Sequence, residues 1–375
     1  LDAFEEDLEM PIKYGIRQPV SMTVGASGIS AALRTAPVAY EIIEDMEELC
    51  PGAWMLNVTN PMTVVTAAMN KAAETVKVLG LCHEFHRLPR LMGTICGLEP
   101  PEDMPNLQAL YEWLPEQGLE YTGAGINHLV WLTKADLNGR DLLPDIRRFC
   151  FENRDLKLNQ ERLEQATRTF QDVGGAKWAL CRTYGYLPIS GDRHIVEFLP
   201  HLCNVRNGFG MSYGVRKTTV DSRRLSGVRT ARKVKEMART GKMDDWSPTG
   251  EELGPIIRAV ITGGKAPLIV NLPNRGQIRN MPEGAVVETL ATATADGVEP
   301  KMSGDLPGPI GAICRFHCDV HDLTLRAALE GDRELFVQAL SLDPLSGTAD
   351  FEEMEALADE LLEANRQYLP RFFEK

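Results

Sequence analysis

Residues 76–86 read Val-Lys-Val-Leu-Gly-Leu-Cys-His-Glu-Phe-His, and the fold assignment starts from them. Val76, Val78 and the Leu79-Gly80-Leu81 run have the near-continuous apolar character of a strand buried on both faces, as in a parallel sheet. Cys82, His83, Glu84 and His86 follow at its carboxyl end, where open α/β sheets collect their ligand-binding and catalytic groups. Two readings stand for a thiol and an imidazole at that place. One is a soft metal site; the other is a core cysteine beside a surface histidine, which local sequence favours because free cysteine is among the most buried residue types.

Upstream, the chain supplies the partners such a strand needs. Residues 1–29 read as irregular, with a flexible turn at Thr23-Val-Gly-Ala-Ser-Gly28, and Ser27 or Ser30 is placed to cap a helix over Ala31–Leu49. Pro51-Gly52 breaks the chain, Ala53–Val58 reads as a strand, and Thr59-Asn60-Pro61 turns it into a helix over Met62–Ala73. Helix, strand, helix, strand is the second half of a doubly wound dinucleotide fold, so residues 1–86 are expected to be the C-terminal half of a Rossmann-like domain. No G-x-G-x-x-G follows a strand anywhere, and Leu1 reads as lying inside that domain.

After Arg87 the alternation stops. A helix near Arg87–Cys96, strands at Glu120–Asn127 and Leu129–Thr133, polar helices around 141–170 and 174–186, strands at Pro267–Pro273 and Ala285–Ala291, and a terminal helix over Phe351–Tyr368 are expected. The stretch 216–250, rich in Lys, Arg, Asp and Ser, reads as a mobile insertion or a subunit contact. Residues 87–375 are therefore expected to form a larger α+β domain for substrate and oligomerisation.

Composition narrows the class. The 375 residues are 43% hydrophobic and 25% charged, within the range of globular domains. A net charge of −13 argues against general nucleic-acid or anionic-membrane binding. No apolar run reaches the ~18 residues that cross a bilayer, and LDAFEEDLEM is no signal peptide. Eight cysteines without a CxxC pair suggest a reducing compartment, and the expectation is a cytoplasmic protein.

Four polar constellations stand out. Leu56-Asn57-Val58-Thr59-Asn60-Pro61 ends a strand in two amides and a hydroxyl, which serve either a ligand or the turn itself. Gly125-Ile126-Asn127-His128-Leu129 sets Asn and His between two apolar strands, where a histidine is more often hydrogen-bonded core than a ligand. With Cys82 it could form an open site for a borderline divalent ion, completed by substrate oxygens and water, since two ligands are too few for structural zinc. In Gly191-Asp-Arg-His-Ile-Val-Glu197 four ionisable groups follow a turn, as a solvated helix start or a carboxylate grip through Arg193. Asn271-Leu-Pro-Asn-Arg-Gly-Gln-Ile278 is another polar turn, and its Arg275 could likewise meet an anion.

Taken in series, NVTNPM (57–62), GLCHEF (80–85), GINHLVW (125–131), YGYLPISGDRHIVEFLP (184–200), NLPNRGQI (271–278) and DPL (343–345) resemble family 4 glycoside hydrolases. The CHE and GDRHIVEF stretches are most similar to the α-galacturonidase branch. The resemblance implies a lactate/malate dehydrogenase-like fold and a requirement for NAD⁺ and Mn²⁺. It also implies hydrolysis by oxidation at C3 of the sugar, C2 deprotonation, elimination and water addition, outside the paired-carboxylate route of most glycosidases. Position by position it implies Cys82 and His128 as metal ligands and Asn60 as a substrate contact beside Asn127. Asn57 and Thr59 would face the cofactor with the Gly25 and Gly28 turn. Asp192 is the first candidate for the base and His194 the second. His83 is the candidate acid for the leaving group, or else orients the substrate, and Arg193 and Arg275 would meet a uronate carboxylate. The implied substrates are short pectin-derived oligosaccharides, and the implied assembly is a homodimer or homotetramer. Alternatives are an α-glucosidase or α-galactosidase of the same family, a 2-hydroxyacid dehydrogenase-like oxidoreductase, or a non-catalytic sugar-binding chain. The glycine-rich loop of the family lies outside the sequence, which puts activity of these residues by themselves in question.

Overall fold

The computed structural model describes residues 2–82, 84, 88–98, 101, 113–155, 174–242 and 253–374. At its centre lies one mixed sheet. Strand β1 (Trp54–Asn57) pairs in parallel with β2 (Lys77–Gly80), in register from Trp54↔Lys77 to Asn57↔Gly80. The remaining strands are β3 (Leu119–Ile126), β4 (Leu129–Leu137), β5 (Arg140–Asp141), β6 (Leu187–Pro188), β7 (Ala266–Pro273), β8 (Val286–Thr294) and β9 (Gly297–Pro300). Their order is β1-β2-β7-β8-β3-β4-β5, with β6 on β4 and β9 on β8. The parallel pair is thus extended by antiparallel strands from the second part of the chain, through β2 and β7 at Gly80↔Asn271.

Among the described residues the α-helices are α1 (Asp2–Glu9), α2 (Gly25–Leu49), α3 (Met62–Ala72), α4 (Leu88–Cys96), α5 (Leu143–Glu152), α6 (Gly175–Tyr184), α7 (Asp192–Ile195), α8 (Val220–Thr240), α9 (Leu253–Thr262), α10 (Gly308–Glu330), α11 (Arg333–Leu342), α12 (Phe351–Ala364) and α13 (Pro370–Phe373). Helices α2 and α3 bury Ala32, Ala36, Val64 and Ala68 against Val320, Phe336, Leu340 and Leu357 of α10 to α12. Small residues on α2 let the axes approach closely, and the larger side chains of the partners fill the space. A second cluster joins Ile126, Leu129 and Trp131 to Ile195, Phe198 and Cys314, under the elements that carry the candidate site.

Several expectations are corrected. Residues 2–14 are not irregular, since α1 and a short 3-10 helix (Met10–Tyr14) form there, and residues 25–29 belong to α2; residues 15–24 between them carry no regular structure. Helix α2 begins at Gly25 rather than at Ala31, and neither Ser27 nor Ser30 caps it. Its first amides are met from outside instead, Gly25 by Asp343 and Ser27 by Gln18. Ser30 and Arg34 turn to the buried Asp7 of α1. The helix expected over 141–170 ends at Glu152, where Asn153 follows; residues 156–173 lie outside the described ones. The stretch around 216–250 carries a regular helix, α8, started by a Thr219–Ser222 capping box. No helix among the described residues is long and apolar enough to cross a membrane.

Candidate active site

The strand order brings the polar ends of four strands into line. Gly80 of β2 faces Asn271 of β7, Asn271 faces Glu288 of β8, and Glu288 faces Gly125 of β3. Gly80 is glycine for a steric reason: a Cβ there would stand 2.6 Å from Thr66 Oγ1 and 3.0 Å from the Asn271 Cβ. Cys82 follows β2 and is buried. Asn127 and His128 form the two-residue turn between β3 and β4, and His128 takes a left-handed φ of 64° there. A tight hairpin turn demands positive φ, so the imidazole stands on strained backbone.

Glu288 ties these groups together. It is fully buried and accepts from Asn127 Nδ2 at 2.9 Å and from the backbone N–H of His128. Burial above all, with the Glu84 charge adding, pushes its carboxyl up to about 8. The Cys82 thiol is pushed well above the usual thiol range by burial, then by Glu288 and Glu84. A buried thiol beside two carboxyls is a poor anion by itself, and a bound cation reverses that preference. The donors therefore suit a soft or borderline divalent ion. Among the described residues no three metal-binding side chains stand together, so Cys82 and His128 would hold such an ion in an open site.

The second wall is α7, whose Asp192, Arg193 and His194 are all buried. Successive residues of a helix point about 100° apart, and these three part company accordingly. His194 stacks on His128, ring centroids 4.0 Å apart, with its Nε2 3.7 Å from Glu84 Oε1. Glu84 also accepts the Gly191 N–H, so the residue two places after Cys82 anchors the start of α7. Asp192 Oδ1 accepts the Lys177 backbone N–H at 3.1 Å and stands 3.7 Å from Lys177 Nζ, both side chains buried. Arg193 Nη2 donates to Thr218 Oγ1 at 2.9 Å.

The third wall is the turn into α2, where Thr23 Oγ1 lies 3.2 Å from His128 Nδ1. Its glycines are explained within the chain. Gly25 has φ 72° and no room for a Cβ beside Gln18, and a Cβ on Gly28 would come within 2.8 Å of the Thr23 backbone.

The sequence-derived residues separate into groups. Cys82, Asn127, His128 and His194 are drawn together through Glu288, Glu84 and the imidazole stack, whereas Asp192, next to His194 in α7, turns to Lys177. At the β1 end, Asn57 Nδ2 donates to Thr66 Oγ1 at 3.0 Å and its Oδ1 accepts the Thr59 N–H at 2.8 Å, so this amide shapes the turn. Asn60 Oδ1 caps the Met62 N–H, and its Nδ2 has no hydrogen-bond partner among the described residues. Arg275 is exposed on the turn after β7, and its guanidinium has no partner among the described residues. His83 lies outside the described residues. Sequence reading passed over Glu288, Lys177 and Thr23; a lone Glu inside the apolar run Val286–Ala291 was the available signal for the first.

Known proteins resemble this chain in sequence and fold. Residues 1–97 match the description "Family 4 glycosyl hydrolase" and residues 123–346 "Family 4 glycosyl hydrolase C-terminal domain". An α-galacturonidase of Thermoanaerobacterium saccharolyticum is 31% identical over 98% of this chain and 77% of its own length. A Bacillus subtilis protein named as a glucosidase superposes with a TM-score of 0.86 at 30% identity, over 96% of this chain and 80% of that one. A 6-phospho-α-glucosidase from gut microorganisms, solved in complex with NAD and Mn²⁺, has the same fold at 19% identity and a TM-score of 0.76, over 98% of this chain and 79% of that one. Matched by both family descriptions and by a relative 31% identical over nearly its whole length, the chain belongs to family 4 of the glycosyl hydrolases.

Proposed function

We propose that the chain acts on short α-linked galacturonides with NAD⁺ and Mn²⁺. The observation that carries this reading is the meeting of Cys82, His128 and His194 around Glu84 and Glu288 at the carboxyl end of β2, in a chain similar to an α-galacturonidase. When bound, NAD⁺ supplies a reversible hydride acceptor and Mn²⁺ a Lewis acid for adjacent sugar oxygens.

The chain's own residues do the rest. Cys82 and His128 hold the ion, and Asn127, fixed on Glu288, lines the same corner. Asp192 takes the C2 proton, its Oδ1 held by the Lys177 backbone N–H with Lys177 Nζ 3.7 Å away. His194, between His128 and Glu84, is the second candidate for that proton. His83 protonates the leaving oxygen or orients the sugar. Asn60, with an unspent amide donor, meets a sugar hydroxyl, while Asn57, Thr59, Gly25 and Gly28 shape the side toward the cofactor. Arg193 grips the uronate carboxylate, with Arg275 as an outer cation.

The test offers α-linked galacturonide, galactoside and glucoside to the enzyme with NAD⁺ and Mn²⁺ in D₂O, following sugar release and deuterium at C2. Galacturonide release with C2 deuteration is expected. Release without deuterium defeats the proton-abstraction reading, and preference for another sugar defeats the substrate.

A further inference from the structure

Thr23 reaches His128 from a segment whose residues resist the conformation they hold. Ser21 and Met22 are consecutive, neither is glycine, and both are left-handed, with φ of 75° and 72°. Each such residue disfavours its conformation by roughly tenfold, and a pair persists only where the surroundings impose it. Two buried carboxyls impose it here. Glu197 Oε1 accepts the backbone N–H groups of Val20 at 2.7 Å and Ser21 at 3.0 Å, from 177 and 176 residues away. Asp343 Oδ2 accepts the Gly25 N–H at 3.0 Å, and its Oδ1 is fixed by the Leu345 N–H at 2.9 Å. Gln18 braces the interior, donating to the Val24 carbonyl at 2.6 Å and accepting from Ser27. Glu197 and Asp343 are buried, Glu197 faces Arg193, and the proposed chemistry gives neither carboxyl a step.

We propose that Glu197 and Asp343 are positioning residues: they clamp the strained 20–25 loop so that Thr23 Oγ1 accepts the Nδ1–H of His128 and Nε2 is the unprotonated nitrogen of the ring. An outer hydrogen bond of this kind fixes the tautomer and angle of a metal-binding imidazole. The inference rests on the reading of His128 as a metal ligand, and it explains why the 343–345 motif, far from the site in sequence, belongs to it.

Two readouts separate the clamp from the functional reading: ring-nitrogen NMR of His128 in metal-free protein, and Mn²⁺ affinity by EPR titration. E197A should lose the Nδ1–H signature and weaken Mn²⁺ about tenfold or more. E197Q, which keeps an accepting oxygen, should retain both. Adding Ser21→Gly and Met22→Gly to E197A should bring affinity back to within about threefold, because glycine adopts positive φ freely. The same glycines in the otherwise unaltered protein should raise Tm, a measurement that stands even where E197A does not fold. An unchanged ring signature in E197A, no recovery on adding the glycines, or a lowered Tm in the glycine variant overturns the clamp. Wild-type protein that shows the Nδ1–H signature yet binds no Mn²⁺ upholds the clamp and overturns the metal reading instead.

Discussion

His194 lies face to face with His128, ring centroids 4.0 Å apart and planes inclined by 25°. One imidazole comes from the β3–β4 turn and the other from α7, and Glu84, two residues beyond Cys82, reaches the second. This stack fixes the spacing between the candidate ion site and the candidate base, and the functional predictions follow from it.

Cys82→Ser should remove Mn²⁺-dependent activity. A buried hydroxyl keeps the shape but stays protonated where a thiol yields to a cation. Chelation of the wild-type enzyme should abolish turnover reversibly, and the variant should need at least about a hundredfold more Mn²⁺. Unchanged metal titration curves would sink the ligand assignment.

Asp192→Asn keeps an oxygen for the Lys177 N–H and removes the base. C2 proton exchange should fall by about 10²–10⁴, while bound NAD⁺ is still reduced by substrate. Persistent exchange would transfer the role to His194.

Arg193→Ala should discriminate between substrates. Loss of a charge-assisted contact to a uronate costs about 1.5–3 kcal/mol, roughly ten- to hundredfold in kcat/KM. Galactoside should lose much less, and equal losses on both sugars would count against a carboxylate grip.

Glu197 makes the pH dependence of stability specific. Burial pushes its carboxyl from 4.5 up to about 7, Asp343 adding and the Val20 and Ser21 amides and Arg193 opposing. A raised acid pKa stabilises the fold below 4.5 and loses that contribution as pH rises through about 7. Glutamine does not titrate. Wild type should therefore lose stability relative to Glu197→Gln across that window, by on the order of 3 kcal/mol. Parallel unfolding curves at both ends of the window would contradict this.

Periodicity and local chemistry determined much of the chain: the apolar runs at 76–81 and 53–58, the antiparallel pair around Asn127 and His128, and the series of short motifs that mark the family. These are local signals, since a buried parallel strand or a tight turn declares itself within a few residues. Tertiary structure decided the rest. Gly80 alone does not reveal that β7 will lie against it, and Glu288 acquires its meaning only when β8 sets it beneath Asn127 and His128. The start of α2 was misread because its first amides are met by Gln18 and Asp343 rather than by a neighbouring serine. The same holds for the Ser21–Met22 strain, whose support lies 176 residues away at Glu197. Sequence spacing names the groups that can do chemistry; which of them meet depends on long-range burial and hydrogen bonding, which no local pattern encodes.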